Sequence, residues 1–186
     1  MRKIILALVL GVASVTAQAQ TASISLSENS AQLKYTLLVG GQSFGRNELG
    51  GGFLFNSVGD YIAEANMHVV GEAGASVPGL MLGVGAKFIG ATIPSYNLMG
   101  LALGAQVAYA IPKVERLSTS LDFYYAPAIV SWLDANRISE WAFRIGYEIL
   151  PQAAVYTEYR SFGADTDAAT GVSFGSGFRL GVRMTF

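Results

Sequence analysis

From residue 22 to the end of the chain, apolar residues alternate with small, polar or charged ones at a period of two. That period is the mark of β-strands, because successive side chains on a strand point to opposite faces. Phe178, Leu180, Val182, Met184 and Phe186 share one face of the last segment, opposite Arg179, Gly181, Arg183 and Thr185. Leu80, Leu82, Val84, Ala86 and Phe88 repeat the arrangement against Met81, Gly83, Gly85 and Lys87, as do Leu101, Leu103, Ala105, Val107 and Tyr109 against Gly100, Gly104 and Gln106. Further alternating segments center on Leu33–Val39, Leu49–Phe55, Tyr61–Val69, Leu121–Tyr125, Phe143–Ile149 and Val155–Tyr159. Breakers separate them: 40–48, 56–60, 71–79, 92–97, 112–116, 127–137, 150–152 and 163–173. With Ser23–Ser27 as a first strand, the pattern predicts an all-β fold of about ten antiparallel strands, or eight if the N-terminal pair stays outside the wall.

The first 19 residues follow a different rule. Arg2 and Lys3, an apolar run from Ile4 to Val12 and a small-residue site at Ala17-Gln18-Ala19 have the order of a secretory signal peptide. Residues 1–19 are therefore expected to be removed, and 20–186 to form one domain.

Alternation alone does not say which face meets solvent. A soluble barrel would turn Leu, Phe and Tyr inward, whereas an outer-membrane barrel turns them toward lipid and keeps a polar lumen. Composition favors the second. Hydrophobic residues make up 52% of the chain and charged ones 13%, yet no run after the leader has the roughly 18 apolar residues of a membrane-spanning helix. The polar face is crowded with glycine (Gly50, Gly52, Gly83, Gly85, Gly100, Gly104, Gly146, Gly181), a poor choice for a strand exposed to water. Aromatics recur near expected strand ends at Tyr35, Phe88, Tyr109, Tyr125, Tyr147 and Phe186, where interfacial girdles sit. The expectation is a single up-and-down transmembrane β-barrel in the outer membrane of a Gram-negative bacterium, in contact with its lipids. If the last strand ends in the periplasm, segments 56–60, 92–97, 127–137 and 163–173 face outward, and the apolar 127–137 segment is expected to pack as an ordinary loop, the alternatives being that it folds over the mouth or touches lipid or a partner.

Inward-facing polar residues are then Lys34, Glu64, His68, Lys87, Asp122, Arg144, Glu148, Glu158, Arg160, Arg179 and Arg183. In a narrow lumen these charges have to pair, because an unpaired buried charge costs several kcal/mol. Glu158 and Glu148 are expected to pair with Arg179 and Arg183, closing the lumen with salt bridges, since porin-sized channels need about sixteen strands. A structural or interaction role is expected. The alternatives are a small-solute or ion channel and a lipid-acting enzyme.

Candidate chemistry is sparse. His68 is the single histidine, so a histidine-dependent triad would have to use it, and no serine in an elbow motif accompanies it. No catalytic residue, cofactor or metal site is predicted. The chain has no cysteine, and 12 basic residues against 13 acidic ones give no basic surface for nucleic acid. Phe186 is expected to act as an assembly signal, offering the C-terminal strand to the barrel-assembly machinery.

LGGGFLF at 49–55, GDY at 59–61, HVVG at 68–71, YYAPAIVSWLDANRISEW at 124–141, RIGYEILPQAAVYTEYR at 144–160 and the closing GVRMTF together resemble the YfaZ family of outer-membrane proteins. The resemblance spans nearly the whole mature chain. It implies a Gram-negative outer-membrane β-barrel and carries over no catalytic residues.

Overall fold

The computed structural model describes residues 18–42, 45–74, 77–112 and 114–186. The expected leader lies outside them except for Gln18 and Ala19, which open the first strand. Strands run β1 (Gln18–Leu26), β2 (Ser30–Gln42), β3 (Gly45–Asn56), β4 (Tyr61–Glu72), β5 (Leu80–Ile93), β6 (Tyr96–Ala110), β7 (Leu117–Ala126), β8 (Ser131–Leu133), β9 (Ala135–Leu150), β10 (Ala153–Thr166), β11 (Val172–Ser173) and β12 (Gly177–Thr185).

Each wall strand pairs antiparallel with its neighbors, and β1 closes the ring on β12 from Thr21 opposite Thr185 to Leu26 opposite Leu180. Ten strands make the wall. The two short ones are continuations: β8 carries on the line of β7 along β6, with Leu133 opposite Leu98, and β11 carries on the line of β12 along β10. A short 3₁₀ turn at Ala128–Val130 interrupts the first of these lines. The apolar 127–137 segment is thus mostly wall.

The strands are longer than the breaker pattern predicts. The β5–β6 connection shrinks from the expected 92–97 to two residues, 94–95, while the β9–β10 turn at 151–152 falls within the expected 150–152; Pro94 and Pro151 have the φ a tight turn needs and no ladder hydrogen bond is asked of them. The expected loop at 40–48 is strand on both sides of residues 43–44, with Gly40 at φ +75° supplying the irregularity in the β2–β3 register.

The apolar face is outside. Phe88 is 42% exposed while its neighbors Lys87 and Ile89 are 5% and 0%. Leu103, Leu180 and Phe178 are among the most exposed residues, whereas Glu158, Arg160 and Arg179 are among the most buried. Among the described residues no helix is long and apolar enough to cross a membrane.

Three of the expected girdle aromatics are placed differently: Tyr35 lies in the middle of β2, opposite Ala22 and Gly51. Phe88 sits opposite Ala65 and Leu101, in mid-wall, and Tyr125 lies opposite Leu103, halfway along β6. The densest outer aromatic group is instead Trp141, Tyr159 and Phe178, with ring centroids 5.2 and 4.8 Å apart along the row.

Leu103→Arg, which puts a charge on the lipid face in mid-wall, is expected to destabilize the barrel by about 2–4 kcal/mol. Urea titration in lipid vesicles, read by gel mobility with and without heating, checks this.

Candidate functional site

The inward-facing positions divide the interior into three layers. At the end away from the chain termini, Leu54, Ile62, Ile89, Leu98, Ile138, Phe162 and Phe174 form a buried apolar cluster that fills the bore. Phe174 reaches it from the break between β11 and β12 and packs on Phe162 at 4.5 Å between ring centroids. The polar, glycine-rich lumen expected from the alternation is therefore only part of the interior.

Below this plug lies a ring of four charges. The Lys87 Nζ donates to both Glu140 oxygens at 3.1 and 3.2 Å and lies 3.5 Å from Glu64 Oε2. Arg160 completes the circuit, with Nε 3.0 Å from Glu140 Oε1 and Nη2 donating to Glu64 Oε2 at 3.4 Å. Signs alternate around the ring, so each charge has two opposite neighbors. Lys87 also sits 4.0 Å above the Tyr124 ring, and Lys34 approaches Glu64 at 3.7 Å.

The third layer, toward the termini, is a polar cavity of about 100 Å³ lined by Lys34, Glu48, His68, Asp122, Tyr124 and Arg144 among others. His68 bonds to the Tyr124 hydroxyl through Nε2 and accepts from the Asn66 amide at Nδ1, 3.1 Å. Arg144 donates to Glu158 through Nε at 3.0 Å and through Nη2, and stacks over Tyr156 at 4.7 Å.

Glycine makes this filling possible. Gly85 lies opposite His68, Gly104 opposite Tyr124, Gly52 opposite Glu64 and Gly181 opposite Tyr156. A Cβ at any of these glycines would run into the facing side chain or the backbone beside it. The large residue lies across its glycine, the device by which neighboring strands fill a barrel without strain.

Of the residues singled out from sequence, Glu64, Lys87 and Arg160 meet in the ring, and Arg144 meets Glu158. The expected pairings of Arg179 and Arg183 do not form. Glu158 is opposite both Arg144 and Arg179 in register, and its carboxylate turns to Arg144. Arg179 instead donates to Gln32 Oε1 at 3.0 Å and the Gly175 carbonyl at 2.7 Å. Arg183 and Glu148 are held two strands apart, on either side of Ala154. His68 bonds to Asn66 and Tyr124 rather than to Glu64, and Asp122 has no ion pair within 4.0 Å among the described residues.

Glu140 is the member of the ring that sequence analysis missed. It stands in phase with Arg144 on β9, so extending the alternation of Phe143 and Ile145 back through Trp141 would have placed it inward.

A closed antiparallel sheet that turns leucine and phenylalanine outward and buries glutamate, lysine and arginine is a transmembrane β-barrel of the outer-membrane kind. The chain belongs to the YfaZ family, whose model, described as YfaZ precursor, matches residues 1–186. That description accords with a cleaved leader. No curated protein matches the chain in sequence. Among solved structures, the KdgM porin is 11% identical over 91% of this chain and 99% of its own, with a TM-score of 0.49. The NanC porin is 9% identical over 91% and 98%, TM-score 0.46, and the outer-membrane OmpT of Vibrio cholerae is 16% identical over 84% and 56%, TM-score 0.40.

Removing Glu140 leaves Lys87 and Arg160 buried with half their counter-charge. Glu140→Ala is expected to cost about 3–5 kcal/mol of stability, against less than about 1 kcal/mol for Glu148→Ala, whose carboxylate joins no ion pair among the described residues. Urea midpoints in vesicles for the two variants check the difference.

Proposed function

We propose that the protein is a closed outer-membrane barrel with a structural or interaction role, and not a channel or an enzyme. The carrying observation is that the bore is blocked twice, by the apolar cluster around Ile89, Ile138 and Phe162, each 0% exposed, and by the ring in which Arg160 is also 0% exposed. To conduct, the barrel would have to break four ion pairs and withdraw a packed apolar layer as well. A solute path that must do both is closed at rest.

The non-enzymatic reading rests on His68. Its ring is turned into the barrel and both nitrogens are engaged by Asn66 and Tyr124, away from the lipid face where a lipid substrate would lie. Orientation follows from the rule that both termini of an even-stranded bacterial barrel face the periplasm. The apolar plug then faces the cell exterior and the polar cavity the periplasm. Phe186, 68% exposed at the end of the closing strand, is available to assembly machinery during insertion.

Planar bilayers containing the purified barrel are expected to show no discrete conductance steps at any holding potential that the bilayer tolerates. Well-resolved unitary steps from the wild-type protein would overturn the closed-lumen reading.

A further inference from the structure

The closing pair of the wall is incomplete at one end. β1 ends at Leu26, opposite Leu180, so no β1 residue stands opposite Gly177, Phe178 or Arg179. Beyond Leu26 the chain turns through Ser27–Ser30 into β2, tied by the Ser27 amide donating to the Ser30 carbonyl at 2.8 Å. The result is a cleft of about 320 Å³ on the outer face, lined by Leu26, Ser27, Glu28, Phe178, Arg179 and Leu180, with Thr157 beside them. Leu26, Phe178 and Leu180 are 58%, 73% and 70% exposed and give it a greasy outer edge.

Arg179 makes this more than a gap. It is 2% exposed, yet among the described residues no carboxylate lies within 4.0 Å of it, because its cross-strand partner Glu158 is taken by Arg144. Among the described residues its two Nη atoms meet only the neutral oxygens of Gln32 and Gly175, and its buried Nε–H has no acceptor. A guanidinium buried without counter-charge is costly, and an anion that reached it would relieve that cost.

We propose that this cleft binds a phosphate-bearing lipid of the surrounding bilayer. The acyl chain lies along Leu26, Phe178 and Leu180, and the phosphate enters above Leu26 to accept from Arg179. Charge complementarity selects the head and the apolar edge selects an amphiphile over a free ion. Glu28, exposed on the β1–β2 turn, stands at the rim and opposes the phosphate. This inference is independent of whether the lumen conducts.

The test uses the whole mature barrel in dodecyl maltoside, titrated with dodecyl phosphate. The readout is the unfolding temperature, which rises when a ligand binds only the folded state. Dodecyl phosphate is expected to raise it saturably, while inorganic phosphate and additional dodecyl maltoside leave it unchanged. Glu28→Gln alters an exposed turn and removes the opposing charge, so it is expected to tighten binding about three- to tenfold at low salt. Glu28→Lys tightens it further. Arg179→Gln, if its gel mobility shows a folded barrel, loses the effect of dodecyl phosphate. The proposal fails if dodecyl phosphate stabilizes the wild type no more than dodecyl maltoside does, or if both Glu28 variants bind it as the wild type does. Stabilization by inorganic phosphate alone would also overturn it, by assigning the effect to a free ion.

Discussion

Everything in this structure follows from the requirement that a backbone in hydrocarbon satisfy its own hydrogen bonds. A strand in lipid cannot leave its N–H and C=O groups to water, so the sheet must close, and it does so where β1 meets β12. Closure with ten strands fixes a bore too wide for small side chains to fill and too narrow for large ones on every strand. The sequence answers with cross-strand pairs of one large residue and one glycine, such as Tyr124 with Gly104 and His68 with Gly85. Those glycines do not serve flexibility. They are the space that the facing side chain occupies.

Closure also decides how charge is carried inside. Six or more ionizable side chains enter a region with little water, and isolated charges there would cost more than the fold can supply. The alternating ring of Lys87, Glu140, Arg160 and Glu64 solves this locally, since each member faces two opposite charges contributed by different strands. Those contacts link β4, β5, β9 and β10 across the bore, so the ring acts as a set of internal struts as well as a seal. Arg179 lies outside the arrangement and is satisfied only by neutral oxygens.

The face that meets lipid was legible in the sequence because the polar face was built from glycine, which a water-exposed strand would have avoided. The number of wall strands was legible from the same alternation. Strand ends were not, since Pro94 interrupts the period whether it opens a long loop or a two-residue turn. Partner choice was the least accessible feature. Alternation places Glu158 inward but does not say whether it turns to Arg144 on one neighboring strand or Arg179 on the other, and register alone permits both. Likewise Arg183 and Glu148 face the same bore at similar depth, yet Ala154 on the strand between them keeps them apart. The half of the bore away from the termini was missed for a related reason: Ile89, Ile138 and Phe162 lie on the face that carries the charges elsewhere, and the alternating segments legible in the sequence stop at Phe88 and Tyr159 and begin at Phe143, short of all three.

With the lumen closed as proposed, the working surfaces of the barrel lie elsewhere than along its axis. The apolar plug takes up one end of the interior and the ion-pair ring its middle, leaving a small polar cavity open toward the termini and the outer face that meets lipid. On that outer face the closing pair is incomplete where β1 is shorter than the strand it closes against, and beside that gap lies Arg179, a buried guanidinium whose cross-strand carboxylate Glu158 turns to Arg144. The two features meet at one place. A longer β1 would have covered Phe178 and carried a residue opposite it, whereas the turn at Ser27–Ser30 stops the ladder one step below Arg179. The place where the backbone constraint is least fully met is therefore also the place where the charge constraint is least fully met, and a phosphate lipid answers the charge with its head and covers the exposed edge with its chain.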